Sequence, residues 1–491
     1  MRFFLTILFS PVFLYGQTLT TSNLPIVVIN TLGQTILDDP RIICDMGIID
    51  NGFGLMNSLS DTFNEYNGKI SIEYRGSTSQ SFPKKSYALE TQDINGNNNN
   101  VSLLGMPAEN DWILYAPYTD KSLMRNFLTF DLGSKMGHYS PRTVYCELVV
   151  NGDYKGIYIL MEKIKRDKDR IDIAKLDFDD NFGDSLTGGY IIKVDKFTGT
   201  GSLIDSWESN YNTIGGNSLT IQYHYPKSID MSSQQKSYIE SYVDSFEYTL
   251  SSSFFADTTI GYNKYIDVSS FIDLYIINEF SKNIDSYRLS TYMYKDRDSN
   301  GGKLTMGPFW DYNLAYGNAD YCDGGIISGW EVNTDCGVTN PFWFERLLSD
   351  TAYQNKLKCR WQYLRDRSFH KDSLFNFIDS IALYLDNAQE RNFQRWSILG
   401  NYVWPNYYVG STYQEEIDFL KTWIKDRLIW IDNNLPGNCY NILLDDVVAN
   451  SKESKLIKIV DVLGRVNASN NNTALFYIYD DGTVEKRIVI E

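Results

Sequence analysis

The chain has 491 residues, 43% of them hydrophobic and 15% aromatic, with a formal net charge of −17 at pH 7. That is enough apolar material for a large core, in one two-lobed domain or two to three units. The acidic balance and the absence of a basic patch argue against a nucleic-acid partner and suit an exported, soluble protein.

Residues 1–16 carry one positive charge and then an apolar run. This reads as a secretory signal peptide with cleavage near Gly16-Gln17, the alternative being a buried first strand. No other stretch reaches the roughly 18 apolar residues of a membrane span, so no transmembrane helix is expected in the mature chain. The six cysteines lack C-x-x-C spacing, which suits an oxidising compartment rather than a zinc site. Cys322 and Cys336 share one glycine-rich loop and are expected to pair. The three histidines, His138, His224 and His370, are scattered, so neither a histidine metal site nor a Ser–His–Asp triad is expected.

In chain order, Leu24–Asn30 is a near-continuous apolar strand, and Lys69–Arg75 alternates with period two. A hydroxyl-rich loop follows, and Lys84–Leu89 is again a strand. Backbone N–H groups, hydroxyls, Arg75 and Lys85 can together hold a polyphosphate, although an ordinary serine-rich turn fits equally well. Lys84 and Lys85 point to opposite faces; Lys85 is the preferred phosphate ligand, and which one faces inward stays open. Asn95–Asn100 is a polar turn and Asp111–Ala116 a short strand. Asp120–Gly133 is helical, with Asp120 as N-cap. Tyr145–Ile164 is a hairpin around Asn151-Gly152. Gly188–Asp195 and Ser218–Tyr225 are further strands.

From about Ser232 the chain turns helical, with Ile239, Val243, Phe246 and Leu250 on one face. Asp350–Asp366, Lys371–Trp396 and Tyr413–Leu435 are further helices, the last opened by a Ser411-x-x-Gln414 capping box. Residues 441–491 form a small β tail with strands at Ile457–Val462, Leu475–Tyr479 and Thr483–Ile490. The fold class is therefore α+β, strand-rich first and helix-rich second, with a cleft expected between two lobes.

Chemistry concentrates between these halves. The apolar helical run Phe271–Ile277 leads to Asp285 on a polar turn. A strand at Ser290–Tyr294, a loop at Asp296–Gly302 and a strand at Lys303–Met306 then deliver Gly307-Pro308-Phe309-Trp310-Asp311-Tyr312-Asn313. The hairpin brings Asp285 and Asp311 close. Phosphoryl transfer needs one carboxylate to orient the attacking hydroxyl and a second to hold the magnesium that neutralises phosphate oxygens. Taken singly, each aspartate also fits a turn cap or a solvated loop. The apolar flanks of Asp311 demand a partner or a metal for it.

The pattern N-x-D-S-Y … G-P-x-W-D-Y-N-L-A-Y-G, with R-G-x-S … P-K-K-S-Y upstream, resembles the spore-coat CotH kinase family over roughly residues 24–438. The resemblance implies a divergent two-lobed protein-kinase-like fold, with an N-lobe over about 24–164 and a C-lobe over about 188–438. It implies Asp285 as the catalytic-loop aspartate and Asp311, aided by Asn313, as ligands of Mg²⁺ or Mn²⁺. Arg75 and Lys85 would brace ATP phosphates, and Glu162, at the hinge position, would face adenine or pair with a nearby lysine. Arg125 and Asn126 match the family's helix motif and are expected to brace the lobe rather than contact nucleotide. The family often carries Trp-Asp-x-Asp where this chain has Asn313. Ser290 stands where ordinary kinases place the second metal-binding Asn.

The tail resembles the C-terminal sorting domain of Bacteroidetes type IX secretion substrates. That implies a protein exported through the periplasm, secreted or held at the outer-membrane surface, with the secretion machinery as a partner. The function implied is a secreted atypical kinase transferring the ATP γ-phosphate to Ser or Thr of exported proteins. The rivals are a non-catalytic binding or adhesion protein on the same fold and a metal-dependent hydrolase.

Overall fold

The computed structural model describes residues 19–52, 54–197, 205–337, 340–439, 456–461, 474–479 and 484–488. The expected signal segment 1–16 lies outside them. Residues up to 441 form one unit and residues 442–491 a second.

Seven strands of the first half close into a barrel. They are β1 (Ile26–Asn30), β2 (Ile42–Ile49), β3 (Tyr66–Arg75), β4 (Ser86–Gln92), β5 (Asp111–Tyr115), β6 (Thr143–Val150) and β7 (Asp153–Glu162). The order is β6-β7-β5-β4-β3-β2-β1, and β1 closes it by running parallel to β6 with Ile26 opposite Glu147. Alternation along each strand sends one face inward, where Ile70, Ile72, Leu89, Trp112, Leu148 and Leu160 are all at most 1% exposed. The β6–β7 hairpin turns at Asn151 and Gly152, both with positive φ (52° and 77°), as the Asn-Gly pair predicts. Individual strands were legible in the sequence; barrel closure was not, because it depends on a parallel pairing between segments far apart in the chain.

The next five strands form an antiparallel sheet in the order β9-β10-β8-β11-β12. These are β8 (Tyr190–Val194), β9 (Ser206–Asn212), β10 (Ser218–Tyr225), β11 (Thr291–Lys295) and β12 (Leu304–Met306). The helices of six or more residues are α1 (Arg125–Lys135), α2 (Ser233–Ser251), α3 (Val268–Ser281), α4 (Trp343–Leu348), α5 (Thr351–Arg365), α6 (Lys371–Arg395) and α7 (Tyr413–Asn434). Helix α3 is buried on all sides from Ser270 to Ser281, as its apolar composition requires. Helix α2 opens with a capping box on Ser232 and Gln235, and its predicted apolar face is buried.

Two expected caps are corrected. Helix α1 begins at Arg125 rather than Asp120, because the Asp120 carboxylate instead receives the N–H groups of Ser122 and Arg125 and pairs with the Arg125 guanidinium. Helix α7 is capped by Thr412, whose hydroxyl accepts from the Glu415 amide, rather than by Ser411.

Helix α6 packs on the barrel at Gly156, whose φ of +94° leaves the backbone open to Asn392. A Cβ there would lie 2.5 Å from Asn392 Oδ1. Cys322 pairs with Cys336 (Cα–Cα 5.4 Å), as expected. Cys359 of α5 pairs with Cys439 (4.8 Å), a link the sequence left open. Cys44 and Cys146 are free thiols inside the barrel, pushed up to about 12 by burial. Among the described residues, no helix is long and apolar enough to cross a membrane. In the second unit, Leu456–Asp461, Ala474–Tyr479 and Val484–Ile488 form a three-stranded antiparallel sheet.

Candidate active site

A cavity of about 530 Å³ collects charged groups from both halves of the first unit. That volume is within the range of small-molecule sites. Arg75 enters from the end of β3, Lys193 and Asp195 from the end of β8, Asp285 from the turn after α3, and Asp311 and Asn313 from the segment after β12. Asn126 and Ser290 complete the wall that sequence reading singled out.

Helix α3 ends because Lys282 is left-handed (φ 44°), and its ammonium is held by the carbonyls of Ile326 and Ser328. The chain turns at Asn283, which joins the two aspartate segments. Its Oδ1 accepts from the Asp285 amide (3.4 Å) and its Nδ2 donates to the Asp311 carbonyl (3.2 Å). Asp311 itself has φ of +63° and Ser290 +49°. Left-handed backbone at non-glycine residues costs on the order of 1–3 kcal/mol and clusters at working sites. The cost is offset locally: the Tyr312 amide donates to Asn126 Oδ1 (2.6 Å) and the Tyr312 hydroxyl to Asn278 Oδ1 (2.6 Å). Arg125, 1% exposed, donates from Nε to the Ala315 carbonyl. Thus Arg125 and Asn126 brace the Asp311 segment, and Asn126 lines the cavity as well.

Burial pushes Asp311 up to about 6, and the negative charges of Asp285 and Asp195 add to this against the opposing pull of Arg75 and Lys196. Asp285 is raised as well, by burial first, with Arg288 and Lys196 pulling it down. The Arg75 guanidinium lies 5.2 Å over the Trp310 ring, which fixes it at the cavity wall.

Three carboxylates share this cavity, and a cation relieves their mutual repulsion. Among the described residues, no group of three or more His, Cys, Asp or Glu is disposed to hold a metal ion by itself. Asp311 and Asn313 line the cavity with side-chain oxygens, the donor type that a magnesium ion takes together with phosphate and water.

Two expected residues lie elsewhere. Lys85 is absent from the cavity lining; its Nζ donates to the Gln80 carbonyl at 2.5 Å. Lys84 is 2% exposed and donates to the Ile157 carbonyl and Asn392 Oδ1, so it serves the contact between barrel and α6. Glu162 is fully buried and bound by Arg142 (2.8 Å) and Tyr139 (3.1 Å), with Arg170 at 3.7 Å, while the cavity is reached instead by its neighbour Met161. Strand alternation turned the glutamate away.

Sequence reading missed Lys193 and Asp195. The available signal was two charges at i and i+2 ending the buried strand Tyr190–Val194, where polar side chains need a reason.

A family model described as CotH kinase protein matches residues 72–431 of the chain. The chain is also similar to inner spore coat protein H of Bacillus subtilis (strain 168), 24% identical over 251 residues. That match spans 50% of this chain and 59% of the length of that protein.

Proposed function

The chain belongs to the CotH kinase protein family, and on that premise we propose that it transfers the γ-phosphate of ATP to a Ser or Thr hydroxyl of an exported protein. The observation that carries the reading is the union of Asp285 and Asp311 in one cavity through Asn283, beside Arg75. The cavity draws on both the strand-rich and the helix-rich half, which supports the divergent kinase-like reading of the fold. The paired cysteines support export, and the three-stranded tail unit suits the sorting-domain reading.

In this proposal Asp311 and Asn313 hold the divalent ion, Mg²⁺ or Mn²⁺, that accompanies the nucleotide. That ion, when bound, neutralises charge on the phosphate oxygens. Arg75, fixed on Trp310, contacts the phosphates. Asp285 accepts the hydrogen bond of the acceptor hydroxyl and aims it. Its raised proton affinity makes it a better base than a solvated carboxylate. The apolar walls formed by Ile113, Phe130 and Met161 exclude water and suit a planar base.

One observation favours a second reading, a non-catalytic binding protein: Ser290 lines the cavity where a second metal-binding Asn would stand in an ordinary kinase. Melting temperature with and without ATP plus Mg²⁺, run on wild type and Asp311→Ala, separates the two. Nucleotide at 100 times its dissociation constant adds about 2.7 kcal/mol of stability. A metal-dependent shift lost in Asp311→Ala, together with phosphate transfer to a protein acceptor, is the expected result. A folded protein with no shift at millimolar ATP would move the reading to the binding protein.

A further inference from the structure

We propose that Lys193, positioned by Asp195, is the cation of this cavity that binds the terminal phosphate of the nucleotide, the part that sequence similarity assigns to Lys85. The proposal rests on the phosphotransferase reading above and deepens it.

The β register sets Lys193 in place. In β8 it stands between Gln222 of β10 and Tyr292 of β11, so it lies on a strand paired on both sides rather than on a free edge. Ile192 and Val194 turn into the main core, at 1% and 5% exposure. Alternation therefore sends Lys193 and Asp195 to the opposite face, where that face opens into the cavity.

Asp195 is tied on every side. Its Oδ2 accepts from Lys193 Nζ at 2.8 Å, and its Oδ1 accepts from the amides of Lys196 (2.9 Å) and Ser290 (3.3 Å). Its own carbonyl accepts from Gln222 Nε2 at 2.5 Å. A carboxylate anchored by two backbone amides, on a residue whose own carbonyl is held as well, fixes the ammonium bound to it. An ammonium has three N–H donors, so the ion pair with Asp195 leaves donors for phosphate oxygens.

The other cations are committed differently. Lys85 is tied to Gln80 and Lys84 to the α6 contact. Arg75 sits 5.2 Å over Trp310 and meets the phosphates from the barrel side, and Arg288, 5% exposed, donates to the Ile284 carbonyl. Lys196 is exposed and reaches Thr78 Oγ1 at 3.3 Å. Lys193 combines a side chain only 15% exposed with a place in the wall of the cavity that Asp311 and Asp285 also line, where a compact point charge suits a tetrahedral phosphate.

The test is titration calorimetry of the full chain with ATP·Mg²⁺, inorganic tripolyphosphate·Mg²⁺ and adenosine. Lys193→Met should weaken ATP and tripolyphosphate at least tenfold and leave adenosine within twofold. Lys85→Met should leave all three within twofold. Asp195→Asn should weaken the two phosphate ligands less than Lys193→Met does. Lys193→Arg, which keeps the charge, should retain part of the phosphate affinity, and it carries the test if Lys193→Met does not fold. ATP binding by wild type that Lys193→Met and Lys193→Arg leave intact would overturn the assignment and leave the phosphotransferase reading standing. Wild type that binds neither ATP nor tripolyphosphate would overturn both.

Discussion

One lysine on the barrel and one in the five-stranded sheet are treated in opposite ways. Lys84, against the barrel, is 2% exposed and its partners are two neutral oxygens, from Ile157 and Asn392. Lys193, in the sheet, is paired with a carboxylate that is itself anchored. A closed barrel has its interior filled by Trp112 and its neighbours, and the polar groups at its wall fasten other elements to it. In the sheet, the ends of β8 and β11 reach the cavity with Lys193, Asp195 and Ser290. The barrel is built for stability and the sheet for charge, with Arg75 at the end of β3 as the barrel's contribution to the site.

The sharpest way to break this contrast is to change charge in the cavity that the sheet opens into. Asp285→Asn should lower phosphate transfer by roughly 10²- to 10⁴-fold, the usual worth of a positioned acid–base group. Nucleotide affinity by calorimetry and the melting temperature should stay near wild type. A comparable loss of folding stability would show that Asp285 is structural.

A cavity on the barrel side should do the reverse. Trp112 is fully buried, donates from Nε1 to the Glu109 carbonyl (3.0 Å) and carries Arg170 over its ring (5.3 Å). Trp112→Ala should cost about 3–5 kcal/mol in urea unfolding, with nucleotide affinity of the folded fraction unchanged.

The smallest effect isolates the buried barrel lysine. Burial pulls Lys84 down to about 7 in the fold, whereas a lysine in the unfolded chain titrates near 10.4. Between these values the unfolded chain holds more protons, so this group makes stability rise with pH across that window. Lys84→Met should remove up to about 1.4 kcal/mol of that rise per pH unit, read as the difference in urea midpoints at pH 7 and pH 9. Equal slopes for wild type and variant would show that Lys84 is already solvated.

How legible was this protein in its sequence? Local signals carried far. Period-two alternation placed β3 within a few residues, the short run Asp111–Ala116 placed β5, Asn151-Gly152 placed the β6–β7 turn, and the Ile239–Leu250 stripe placed α2. The apolar surroundings of Asp311 and the turn at Asp285 pointed to two groups that line one cavity. These follow from properties of neighbouring residues: side-chain period, turn chemistry and the cost of burying a carboxylate in apolar company. Lys85, Glu162, Lys193 and Asp195 depended on something else. Which face of a strand looks into a cavity is set by its pairing partners, here Gln222 and Tyr292 around Lys193, and a shift of one residue reverses it. The sequence by itself determined the elements and the two aspartates. Only the tertiary structure, through barrel closure and sheet register, decided which cations face them.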